Sequence, residues 1–365
     1  MDTQQTQTPG GIPDLVLDSD VFTLDFHPQR NIVATGLING SVQAFAYAPE
    51  GHASVLSLSH HQDACRKVMF SEDGNTLYTA STDKSIRAYD TTGGVMWAEL
   101  NAHAHPVNSM HQISNNIFTS GDDQGCIKMW DVRQHRCVVE WNEHTDYISD
   151  MTTNDAKDTL LATGGDGRLS VYDLKKNAFV RKSDELDDEL LSVRIVKGGK
   201  KVVCGSQDGV LVIFSWGTWG DMSDRFPGHP DSVETILKVD EDTILTGSSD
   251  GIIRVVQIHP NKLLGLIGDH EDFPVEVLEF SHDRRIVGSV SHSDKVQFWD
   301  VGYLFDEDDE DDDDDDGQDA AGLSFEPKDD ESMDDSDDDS DDDDNGQAFG
   351  RKAAPTQREA FFSDL

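Results

Sequence analysis

Several histidines in this 365-residue chain are followed at regular distances by a hydroxyl and a carboxylate. His229, Ser248 and Asp250 make one set, and His61 with Asp83 and His144 with Asp166 begin others. Taken once, such a set suits nucleophilic catalysis: the hydroxyl attacks, the imidazole takes its proton and the carboxylate holds the ring. An enzyme needs one such site, whereas here the set returns along the chain. Recurrence points instead to buried hydrogen-bond networks that satisfy polar groups and fix turns. No Gly-rich phosphate loop, H-E-x-x-H zinc motif or G-x-S-x-G elbow occurs. The expectation is therefore no catalytic centre, no cofactor and no metal. Cys65, Cys126, Cys137 and Cys204 show neither a C-x-x-C pair nor a disulfide framework, and read as free thiols in a reducing compartment.

The elements that must position these residues are seven copies of one hairpin. Each has small or hydroxyl residues, an Asp-Gly-type turn, an aliphatic anchor, and usually an aromatic three residues on. The anchors are Val42, Ile86, Ile127, Leu169, Leu211, Ile253 and Val296, at intervals of 44, 41, 42, 42, 42 and 43 residues. A second register keeps the same period: Val21, Cys65, Val107, Ile148, Leu190, Val233 and Val275 each open a strand. His61, His103, His144 and His229 stand four residues before it, and His270 five before. These histidines, with Trp130-Asp131 and Trp299-Asp300, resemble the Gly-His and Trp-Asp elements of WD repeats. Seven units of about 42 residues predict an all-β, seven-bladed WD40 β-propeller over residues 12–305. After Asp300 no strand remains to complete the last blade, so Asp14-Leu15-Val16-Leu17 is expected to close the ring. Blade three has Gln124 at the turn-Asp position, blade seven has Ser293, and blade five has Leu186 in place of histidine. Weaker networks are expected in those three.

Charge is concentrated at one end. The formal net charge is −43, and 25 acidic residues against one lysine between Asp306 and Asp344 leave −19 for the rest. An acidic surface disfavours direct binding of nucleic acid. Residues 1–11 read as a flexible N-terminus without an apolar signal, and no run of about 18 apolar residues suggests a membrane span. Residues 306–347 read as disordered, because like charges repel and apolar residues are few. Ser332, Ser336 and Ser340 precede acidic residues there, the context of kinases of the casein kinase 2 type. Residues 348–365 end in Phe361-Phe362-Ser363-Asp364-Leu365, whose Phe361, Phe362 and Leu365 make a candidate docking motif. Within the propeller, register places Tyr147, Arg168 and Arg254 near the channel rim as candidate partner contacts. Trp216 and Trp219 sit in a Gly-broken insertion, as an exposed aromatic platform or as packing over the blade edge.

Longer, non-repetitive strings carry a family resemblance. DELLSVRIVKGGKKVVCGSQDG, SWGTWGDMSDRFPGHPDSV, LTGSSDGIIRVVQIHPNKLLG and GDHEDFPVEVLEFS resemble the WD repeat-containing protein 55 family. The resemblance implies a non-catalytic protein-interaction scaffold of the nucleus and nucleolus, active in ribosome biogenesis and rRNA production. It also implies pre-ribosomal or other basic nucleolar proteins as partners of a monomeric propeller. Without it the residues say cytosol or nucleus alike, since Arg351-Lys352 is a poor nuclear signal. A competing reading starts from Trp130-Asp131-Val132-Arg133, which resembles the W-D-x-R element of substrate receptors of cullin-4 ubiquitin ligases, with Arg133 as the contact.

Overall fold

The computed structural model describes residues 11–305 apart from 91, 93 and 272. The candidate phosphorylation sites Ser332, Ser336 and Ser340, and the docking residues Phe361, Phe362 and Leu365, lie outside the described residues.

Seven four-stranded antiparallel sheets follow one another as the blades of a propeller, with no α-helix among the described residues. Blade one runs from its inner strand Val21–Phe26 through Ile32–Leu37 and Val42–Ala48 to the outer strand Gly51–Leu58. Blades two to six repeat that order. The periodic aliphatics explain why: all seven anchors are 1% exposed or less, and all seven strand-opening residues 2% or less. Each side of a strand presents these residues to a neighbouring blade, so the core is seven apolar clusters rather than one. The cluster of Ile127, Trp141, Ile148, Leu160 and Tyr172, for example, joins blade three to blade four. No blade buries its two faces alone, and only ring closure does so for all.

Closure uses the predicted segment. Leu15–Val16 pairs antiparallel with the third strand of blade seven, Leu15 opposite Val296 and Val16 opposite Lys295. Alternation does the rest: Leu15 and Leu17 are 3% and 7% exposed, while Val16 between them is 60% exposed. Pro13 O also takes a 2.8 Å hydrogen bond with His52 Nε2 of blade one. The N-terminus thus spans the seam between the last blade and the first.

The second-to-third-strand turn of each blade packs on the loop entering the next blade. At Gly125 (φ +82°) and Gly209 (φ +78°) a Cβ would lie 2.6 Å from the carbonyl oxygens of His144 and His229 respectively. A side chain there meets both a disfavoured backbone and a neighbouring carbonyl, so glycine keeps the turns and loops in contact. One end of the propeller is therefore a continuous loop face.

Candidate functional site

The loop face is built on the histidine networks. In blade two His61 Nδ1 lies 3.1 Å from Asp83 and 3.0 Å from Ser85 Oγ, and Nε2 lies 2.7 Å from Thr79 Oγ1. In blade four His144 Nδ1 lies 2.8 Å from Asp166 and Nε2 2.6 Å from Ser170 Oγ. Burial raises the pKa of Asp166, but the His144 contact, the Thr145 N–H and the Lys182 charge together lower it more, so the carboxylate stays ionised.

Blade three overturns the expectation of a weak network. Asp122, two residues before Gln124, takes the turn position's role: it is 1% exposed and lies 3.1 Å from His103 Nδ1. Trp130 Nε1 donates to Ser120 Oγ at 2.8 Å, and that oxygen lies 2.6 Å from His103 Nε2. With Ser120 accepting from Trp130, its own proton points to Nε2, leaving Nδ1–H for Asp122. Cys126 brings its thiol within 4.8 Å of the His103 and Asp122 donor atoms. It holds the register position of Ser85 in blade two, and burial pushes its pKa up to about 12, so it is a thiol where blade two has a hydroxyl.

Blade six corrects a second expectation. His229 Nε2 lies 2.8 Å from Thr246 Oγ1, but Nδ1 is buried without a partner. Asp250 is taken by Arg254, whose two terminal nitrogens donate to it at 2.9 and 2.5 Å, and the Ser248 hydroxyl bonds the carbonyl of Asp231. His229 thus bonds neither Ser248 nor Asp250. Arg254 is corrected with them: it is 7% exposed and spent on Asp250, not offered to a partner. Blade seven keeps half a network, Trp299 to Ser289 to His270, with no carboxylate on Nδ1 among the described residues. Blade one also lacks the histidine, carrying Leu17 there as blade five carries Leu186.

What this scaffold presents is negative charge. Among the described residues, the inter-strand segments of the loop face carry 18 Asp and Glu against two basic residues, Lys84 and Arg168. The segments at the opposite ends of the strands carry ten acidic and nine basic residues. Tyr147 and Arg168 both lie on the acidic face and both are engaged there. Tyr147 donates its hydroxyl to Glu189 at 2.6 Å, and Arg168 donates to Glu185 at 2.6 Å and to Ser183 O at 2.9 Å. Arg66 is clamped on Asp123 by two 3.0 Å bonds. The face therefore has few basic groups, and Arg168 and Arg66 are paired.

The sequence model of the WDR55 family matches residues 12–304, the whole propeller. WD repeat-containing protein 55 of Arabidopsis thaliana is 43% identical over 290 residues, covering 78% of this chain and 81% of its own. The Homo sapiens protein of that name is 40% identical over 294 residues, 80% and 77% of the two chains. The chain belongs to the WDR55 family. WD repeat-containing protein JIP5 of Coprinopsis cinerea is 39% identical over 308 residues, covering 81% of this chain and 76% of its own.

Two further residue expectations are settled by geometry in this WDR55-family propeller. Of the two readings of Trp216 and Trp219, packing over the blade edge holds and the exposed platform does not. Trp219 is 8% exposed and packs with Trp216, rings 5.0 Å apart, on the cluster joining blades four and five. A 2.9 Å bond from Asp184 N to Gly220 O ties the insertion down, and burying two indoles outweighs displaying them. Arg133 is displayed: its side chain is 64% exposed while its guanidinium is held on Asp131 by bonds of 3.1 and 2.8 Å. It stands on the face opposite the acidic loops.

Proposed function

We propose that this WDR55-family chain is a non-catalytic scaffold of the nucleolus that holds a basic protein partner on its acidic loop face during ribosome production. The observation that carries the reading is the asymmetry of the two faces among the described residues, 18 acidic to two basic on one and ten to nine on the other. Such a face raises the local concentration of Lys/Arg-rich segments and repels phosphate backbones. The histidine sets support the non-catalytic part, since His61, His103 and His144 are each spent inside their blade on a turn carboxylate. The nucleolar setting rests on the family resemblance. Affinity purification of the tagged chain from growing cells tests the reading, beside a chain ending at Phe305. Recovery of pre-ribosomal basic proteins with both chains places the contact on the propeller. Recovery with the full chain only would move it to residues beyond 305, and recovery with neither would sink the proposal.

One observation favours a second reading, a substrate receptor of a cullin-4 ligase: Arg133 is exposed and held in place by Asp131. Arg133→Ala removes co-purification of the ligase adaptor if that reading holds; absence of the adaptor from wild-type preparations ends it.

A further inference from the structure

Three chemically different donors converge at the turn of blade three, one from each of three chain segments. His103 lies in the loop entering the inner strand Val107–Ser114, Asp122 ends the second strand Ile117–Asp122, and Cys126 opens the third, Cys126–Asp131. An imidazole nitrogen, a carboxylate oxygen and a sulfur lie within 4.8 Å of one another there. In the other blades the Cys126 position holds Ser41, Ser85, Arg168, Val210, Ile252 and Lys295. Blade three alone adds a thiol to the histidine and the carboxylate.

The surroundings hold two of the three donors as a metal site requires. Asp122 Oδ1 accepts the N–H groups of Gln124 and Cys126, each at 3.0 Å, which leaves Oδ2 aimed at His103 Nδ1, 3.1 Å away. On the far side of the ring His103 Nε2 lies 2.6 Å from Ser120 Oγ, which Trp130 Nε1 fixes in turn. Outer contacts of this kind orient metal-bound imidazoles and carboxylates. Burial lowers the pKa of His103, so the ring is neutral. Burial raises that of Asp122, but the His103 hydrogen bond and the Cys126 and Gln124 N–H groups together lower it more, so the carboxylate is ionised. Both groups are therefore in the forms that bind a cation. Ligand atoms around one tetrahedral zinc stand about 3.3–3.6 Å apart. The nitrogen and the oxygen are near that spacing, and the thiol of half-buried Cys126 has at most about 1.3 Å to close.

We propose that His103, Asp122 and Cys126 bind a zinc ion through Nδ1, Oδ2 and Sγ, with water in the fourth position. Nitrogen and sulfur ligands suit zinc, and a thiolate selects against magnesium and calcium, which take oxygen. Burial pushes the free Cys126 thiol up to about 12, but zinc binds the thiolate, so the S–H proton passes to solvent as the Zn–S bond forms. The His103 ring exchanges its Nδ1 proton for one on Nε2. Ser120 Oγ, with two lone pairs, accepts that N–H beside the Trp130 N–H, its own proton turning aside. The charge of Lys128 opposes a cation here, and its 3.3 Å ion pair with Glu140 offsets it. The acidic loop face raises the local cation concentration. The ion joins the loop entering blade three to the turn between its second and third strands. This departs from the expectation of no metal, and it holds or fails whatever partner the loop face takes.

The test uses the reduced, chelator-treated full-length chain and cobalt(II), which occupies zinc sites and shows a sulfur-to-metal charge-transfer band only when a thiolate binds it. A saturable band at one cobalt per chain, abolished by added zinc, is expected. Residues 306–344 contain no cysteine, so cobalt gathered by their carboxylates adds nothing to the band. Cys126→Ser gives blade three the hydroxyl that blade two carries at Ser85, which keeps the fold, and it is expected to lose the band, whereas Cys137→Ser retains it. Zinc is expected to raise the melting temperature of the wild type and of Cys137→Ser but not of Cys126→Ser, since only a folded site binds the ion. Absence of the band, its survival in Cys126→Ser, or equal zinc stabilisation of the wild type and Cys126→Ser would each overturn the site.

Discussion

At the residue scale, each blade's network is decided by which side chain reaches the histidine first. The hydroxyl usually comes seven residues before the anchor, as in Thr79, Ser120, Thr246 and Ser289; blade four has Ala162 there and recovers the bond from Ser170, one residue past the anchor. The same position in blade six holds Arg254, which draws Asp250 away and leaves His229 half paired. This is where the sequence was least legible, because a motif fixes spacing but not the competition between two donors for one carboxylate. Blade three shows the converse, a network supplied by an acid two residues out of register. Asp122→Ala is expected to destabilise the protein by about 3 kcal/mol, because it strands a buried imidazole N–H, as judged by denaturant unfolding. Ser293→Ala in blade seven, which has no histidine partner to lose, should cost well under half of that.

The same histidines set a pH dependence. Burial lowers the pKa of His229, where Arg254 adds to the effect, and of His270, in both to about 4. A histidine whose folded pKa lies below its unfolded value of about 6.5 binds protons more readily when unfolded, so its contribution is intact above 6.5 and is lost as pH falls toward 4. The melting temperature is therefore expected to fall steadily between pH 6.5 and 4. His270→Gln, which removes one titrating group, should make the fall shallower; an identical slope would show that this histidine does not control it.

At the element scale, the period of about 42 residues was legible because it rests on aliphatic anchors whose burial is imposed by two neighbouring blades at once. Closure was legible for the same reason: one strand was missing at the end of the chain and one was spare at the beginning. The insertion Trp216–Ser223 was legible only as one of two alternatives, since nothing in its local pattern says that it folds back over the junction of blades four and five. The two buried leucines of the closing segment carry most of its hold on the ring. Leu15→Ala and Leu17→Ala are each expected to cost about 3 kcal/mol, while Val16→Ala, on the exposed side, should stay within about 0.5 kcal/mol. Thermal melts of the three single variants separate a closing strand from a passive tail.

At the scale of the whole molecule, the propeller converts a sequence with scattered acidic residues into one with a direction. The blades alternate strand ends, so residues a few positions apart are sent to opposite faces, and only the topology reveals that the carboxylates accumulate on one. If that face captures a basic partner, reversing charge there must matter more than reversing the same number elsewhere. Asp63, Asp146 and Asp187 are exposed on the loop face, and Glu50, Asp155 and Asp221 are exposed on the other. Changing the first three to lysine is expected to cut recovery of basic partners about tenfold at low salt, because electrostatic attraction acts mainly on encounter. Changing the second three alters the net charge equally, so it should leave recovery within about twofold if position rather than total charge governs. Raising the salt should shrink the difference between the two triple variants, since exposed charges are screened within about 10 Å at 0.1 M. Equal loss in both variants would mean that the chain attracts partners by its overall charge, and that the acidic face has no special part in holding them.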